Sequence, residues 1–151
     1  MNVKPHNQQI FSFFIILFSL LVITSCKGDE EHVPHVPVNF TLDLNIINEL
    51  TTTGYSRLYP FEGYGGVIVF CEFYDVVTPA ASIYYAFDAT CTFELSSECS
   101  VENEGNNVKA VCPCCESEFY LSGGYPYKGE ASVSLKRYNV SILNNVLRIY
   151  N

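Results

Sequence analysis

Apolar and polar side chains alternate near the start of the chain's polar half: Phe40, Leu42, Leu44 and Ile46 are separated by Thr41, Asp43 and Asn45. A period of two is that of a strand with one buried face. Val67-Ile-Val-Phe-Cys71 is apolar without a break and rich in β-branched residues, so it predicts a strand covered on both faces. Gly63-Tyr-Gly-Gly66 just before it is a turn signal. Ile83-Tyr-Tyr-Ala-Phe87 predicts the next strand. Near the end, Tyr138–Leu143 and Val146–Tyr150 flank Asn144-Asn145, a pair that tolerates the positive φ of a tight turn, and together they predict a closing hairpin. No window sustains a helical period as well. Many short strands between Gly, Pro and Asn turns predict an all-β fold. Residues 39–151 are enough for one core and hardly for two, so a single domain is expected.

The N-terminal pattern differs. Residues 1–9 are polar with Lys4 as the one charged side chain, and Ile10 to Ile23 is an apolar run interrupted only by serines. Such a run is a secretory signal, too short and too close to the terminus for a permanent span. It ends Leu21-Val-Ile-Thr-Ser-Cys26, which resembles the bacterial lipobox. That resemblance implies a signal peptide over 1–25 and lipidation of Cys26, with acyl chains anchoring the mature protein in a membrane leaflet. Residues 26–38 follow as an acidic, proline-bearing tether, Lys27-Gly-Asp-Glu-Glu31 and then His32-Val-Pro-His-Val-Pro37, which cannot build a core. The acidic cluster resembles the export signal of Bacteroidota lipoproteins, so a bacterial outer-membrane lipoprotein is expected, with the periplasmic and external faces both open. His32 and His35 are expected to be solvated tether residues.

Charge narrows the partners. Removing 1–25 deletes Lys4 and no acid, leaving seven basic against sixteen acidic side chains, a net charge of about −9 with histidine neutral. Nucleic acid is thereby disfavoured, because phosphate contacts supply most of that affinity. Eleven tyrosines and eleven phenylalanines suit strands and a small core better than a binding platform, with Tyr125-Pro-Tyr127 the candidate for an exposed aromatic loop. No particular protein or glycan partner is indicated. The sequence contains no G-x-S-x-G, no H-E-x-x-H and no nucleotide-binding glycine loop, and no histidine beyond His35 for acid–base work, so no enzyme is expected.

With Cys26 set aside, six cysteines remain: Cys71, Cys91, Cys99, Cys112, Cys114 and Cys115. An even number outside the cytoplasm points first to disulfides, in any of fifteen pairings. Cys112 and Cys115 also have the C-x-x-C spacing of a metal knuckle, and Cys91 with Cys99 could complete a thiolate set for zinc. A thiol-exchange role is the third possibility, although the strand-to-helix setting of thioredoxin-type motifs is missing.

The run Cys112-Pro-Cys-Cys-Glu-Ser-Glu-Phe-Tyr-Leu-Ser-Gly-Gly124, followed by Gly129-Glu-Ala131 and Leu135-Lys-Arg-Tyr-Asn-Val140, resembles the second half of a Rieske iron-sulfur domain, whose pattern is C-P-x-H-G-S-x-F, a G-P-A loop and a closing strand. Ala86-Phe-Asp-Ala-Thr-Cys91-Thr-Phe93 resembles its first half, C-x-H. The resemblance covers roughly residues 64 to 150 and implies a Rieske-like antiparallel sandwich carrying a small knuckle subdomain, which the many short strands fit. Carried over by position, Cys91 and Cys112 stand at the cysteine ligands, whereas Phe93 and Cys115 stand at the two histidine ligands. Glu116 replaces the glycine after the second histidine, and Glu130 replaces the proline of the covering loop. A Rieske centre needs two imidazoles on one iron, so the resemblance implies the fold without that centre. It also implies a disulfide from Cys99 to Cys114, after the extra pair of respiratory-type members. The expectation is a disulfide-stabilised binding or structural module with no cofactor. The alternative is zinc or an all-cysteine [2Fe-2S] cluster held by Cys91, Cys112 and Cys115 with Cys99.

Overall fold

A computed structural model describes residues 33–103 and 108–151. The expected signal peptide, Cys26 and His32 lie outside the described residues. Nine strands, all paired antiparallel, form two sheets, and the only helical pieces among the described residues are 3-10 turns at Asn48–Thr51 and Pro79–Ala81. The large sheet contains β1 (Asn39–Asp43), β2 (Ser56–Tyr59), β3 (Val67–Phe73), β4 (Ile83–Asp88), β8 (Arg137–Leu143) and β9 (Val146–Tyr150), in the order β1-β9-β8-β4-β3-β2. The small sheet is β5 (Lys109–Val111), β6 (Glu118–Tyr120) and β7 (Tyr125–Lys128).

β3 shows why its sequence is apolar on both faces. Val67, Val69 and Cys71 enter one core, with Leu42, Leu50, Tyr84, Leu147 and Ile149. Ile68 and Phe70 point the other way, into a second core with Phe87, Cys91, Cys112, Phe119 and Leu121. Successive side chains of a strand point to opposite faces, so one continuous run serves two cores. The second core packs the small sheet's Phe119 and Leu121 with β3 and β4 and contains two of the candidate cysteines. Closure at the other end comes from Asn144 and Asn145, whose φ values of 50° and 60° match a two-residue hairpin turn.

Two local expectations are corrected. The alternation that predicts a strand through Ile46 stops paying off at Asp43, whose carboxylate accepts from the Asn45 amide at 2.9 Å and whose carbonyl accepts from Ile46 at 3.0 Å. This side-chain-assisted turn ends β1 and leaves Ile46 exposed. Tyr125-Pro-Tyr127 is the edge strand β7, not a loop, a place where a proline costs no ladder hydrogen bond. Tyr127 stacks on Tyr120 with ring centroids 4.1 Å apart, so its face is covered by a neighbour. Neither β2 nor β5 is marked in the sequence by alternation, because both are short strands at sheet edges.

Candidate thiol site

Three loops build the site. The first follows β4 and is closed at its base by a bridge between Thr90 and Ser100, with the Cys91 amide donating to the Cys99 carbonyl at 3.2 Å. Asp88, fully buried, anchors its start. One carboxylate oxygen accepts from the Tyr64 amide at 2.8 Å and from the Tyr138 hydroxyl at 2.7 Å. The other accepts from the Gly65 amide at 3.1 Å, the Thr90 amide at 3.0 Å and the Thr90 hydroxyl. One carboxylate thus ties the glycine turn, the closing strand and the residue before Cys91 together. A side chain at Gly65 would place its Cβ 2.4 Å from Thr90 Oγ1, so the approach of turn and loop requires glycine there.

The second loop is the connection of the β5–β6 hairpin. Its amide of Cys112 donates to the Ser117 carbonyl at 2.9 Å, and the Glu116 amide donates to the Cys112 carbonyl at 3.0 Å. Glu116 has a φ of 57°, a left-handed conformation that a glycine would take at less cost. The third loop, after β7, is held by Ser117, whose hydroxyl oxygen accepts from the Glu130 and Ala131 amides at 3.0 Å each. Gly129 turns this loop at a φ of 93°, and a Cβ there would lie 2.5 Å from the Ser117 Cα. Thr92 closes the triangle by donating to the Val133 carbonyl at 2.6 Å.

A disulfide joins Cys99 of the first loop to Cys114 of the second. Cys99 is therefore absent from the thiol set in which the zinc alternative placed it. Cys91, Cys112 and Cys115 are free thiols, and their sulfurs all lie within 4.8 Å of one another. The Cys91 and Cys115 sulfurs are 3.5 Å apart. No carboxylate or imidazole joins this group among the described residues, although the sequence places Glu116 and Glu130 in the surrounding loops. Cys71 lies in the first core, away from the group.

The thiols differ in environment. Burial pushes the Cys91 thiol up to about 12, against the opposing amides of Glu94 and Phe93. Cys115 is half-buried. Burial would raise it too, but the Ser117 hydroxyl and amide, with the Cys91 and Cys112 thiols, can all donate to its thiolate and hold it below the usual thiol range. In the neutral form the direction reverses, and Cys115 donates to Ser117 Oγ at 3.1 Å. Phe93, at the first histidine position of the resemblance, is 50 % exposed and offers no donor atom.

The class that the strands and loops define is an all-β domain of two antiparallel sheets with a three-loop cysteine site. No family model matches the chain, and no curated protein matches it. It is similar to the solved structure of the cyanobacterial plasma membrane Rieske protein PetC3 from Synechocystis PCC 6803, at 26% identity over 76% of this chain and 98% of that one, with a TM-score of 0.49. It is also similar to the ferredoxin of carbazole 1,9a-dioxygenase from Nocardioides aromaticivorans IC177, at 16% identity over 76% and 97% of the two chains and a TM-score of 0.45. A putative NADH-dependent nitrite reductase small subunit from Mycobacterium tuberculosis gives 15% identity, 78% and 97% coverage and a TM-score of 0.44.

A Rieske-type [2Fe-2S] centre does not fit the donor set. It takes two thiolates and two imidazoles, whereas this site has three thiols, no imidazole and a phenyl ring at one ligand position. The two other nearby cysteines, Cys99 and Cys114, are spent in the disulfide.

Proposed function

We propose that this chain is a cell-envelope lipoprotein, anchored through acylated Cys26, whose Rieske-like domain is a disulfide-stabilised binding module and not a [2Fe-2S] electron carrier. One observation carries the reading: the loops that resemble a cluster-binding pair are joined by Cys99–Cys114 and bring together three thiols with no imidazole. The signal-like N-terminus and the lipobox resemblance support the anchor, and the acidic tether supports placement at the outer membrane.

The test uses the full chain, extracted from its membrane in mild detergent without reductant, after growth with iron supplied. The expected protein is colourless, free of iron and inorganic sulfide, and has one disulfide and an acylated N-terminal cysteine by intact mass. Visible absorbance with stoichiometric iron and sulfide would overturn the cluster-free reading. For the anchor, Cys26→Ser should release the chain from the membrane fraction, and retention of that variant would contradict lipidation as the attachment.

A further inference from the structure

We infer that Cys91, Cys112 and Cys115 form a mononuclear site for one thiophilic d10 cation, copper(I) or zinc(II), held by three sulfurs. The inference rests on the cluster-free reading above and deepens it. Metal–sulfur bonds of about 2.3 Å put two sulfurs on one ion about 3.8–4.0 Å apart, tetrahedral or trigonal. The Cys91 and Cys115 sulfurs are 3.5 Å apart and all three lie within 4.8 Å of one another, so no pair has to change its separation by more than about 1 Å to surround one ion. The scaffold resists larger changes. Cys91 and Cys112 are fully buried in the second core, and the disulfide fixes the two cysteine-bearing loops to each other.

The donor set selects the chemistry. Three thiolates favour copper(I) and zinc over the oxygen-seeking magnesium and calcium. Ser117 Oγ, 3.1 Å from the Cys115 sulfur, already accepts from two amides, which leaves it a poor fourth ligand. Copper(I) is satisfied by three soft donors. Zinc would take a fourth from solvent, as in zinc sites with three protein ligands, and half-exposed Cys115 is the solvent side of the group. Binding balances as one ion taken up for up to three thiol protons released.

The experiment titrates the full detergent-solubilised chain, anaerobically and with Cys99–Cys114 intact, with zinc(II) and separately with copper(I) in acetonitrile. One ion per chain should bind, with proton release and a sulfur-dominated X-ray absorption shell. Three sulfurs alone would identify the copper mode, and three sulfurs with one oxygen the zinc mode. Cys115→Ser, the least buried of the three changes, should weaken binding at least a hundredfold, whereas Cys71→Ser should leave it unchanged. The retained disulfide and circular dichroism check that both variants fold. A colourless chain that binds neither ion, or a Cys115→Ser chain that binds as tightly as the parent, overturns this site while leaving the cluster-free reading intact. Iron and sulfide in the isolated protein overturn both.

Discussion

Removing the Cys99–Cys114 bond should cost about 3 kcal/mol of stability. The two residues are separated by 15 positions, and closing a loop of about 15 residues in the unfolded chain is worth about 3 kcal/mol at 25 °C. The estimate is little disturbed by lost packing, because Cys114 is exposed and Cys99 only partly buried at the margin of the second core. A Cys99→Ser/Cys114→Ser double variant keeps the side-chain size and removes the covalent link. With a urea m-value of about 1.5 kcal/mol/M, the unfolding midpoint should fall by about 2 M. The measurement compares tyrosine fluorescence and far-UV circular dichroism of the metal-free parent and variant, with a chelator present so that ligand binding does not contribute. A shift below about 0.3 M would refute the reasoning, since it would mean that the two loops hold each other without the bond. Hydrogen exchange adds a second check: the amides of Cys91, Cys112 and Glu116 should lose protection first, because their bonds lie within the loops that the disulfide pins.

Asp88→Asn should destabilise the domain by about 2 kcal/mol in the same urea assay, because an amide cannot accept at both ends and at least one of the Tyr64, Gly65 and Thr90 amides would lose its partner; an unchanged midpoint would contradict the role given to this carboxylate. Gly129→Ala should cost at least about 2 kcal/mol, since it combines a φ of 93° with a Cβ 2.5 Å from the Ser117 backbone, and thermal melting checks it. In the metal-free chain at pH 8, iodoacetamide should label Cys115 first and Cys91 far more slowly, by mass spectrometry of timed samples, because the former is half-exposed with a lowered pKa and the latter is buried with a raised one. The same shift has a stability consequence: a thiol whose pKa is raised on folding contributes fully below the unfolded value of about 8.5 and loses that contribution as the pH climbs toward 12. Alkaline urea melts should therefore show stability falling over that window, and a rise there would count against a buried neutral Cys91.

What could be read along the chain was what depends on neighbours in sequence. The two-faced run Val67–Cys71, the strand at Ile83–Phe87 and the Asn144-Asn145 hairpin are local patterns of burial and backbone preference, and they appear at those positions. Ile46 shows the limit even there, since an aspartate turn outweighed the alternation. The spacing of Cys112 and Cys115 announced a knuckle, but six cysteines allow many pairings, and only the closure of Cys91–Cys99 against the β5–β6 hairpin decides which sulfurs meet. Asp88 carried no signal at all. Its importance comes from donors 2 to 50 positions away, which only chain folding brings to one carboxylate. The residue types thus determined which chemistry was possible, thiol without imidazole, while the tertiary structure decided that one pair is a bond, that three of the four remaining sulfurs lie together and that Cys71 stands apart, because such contacts depend on distances that sequence separation does not contain.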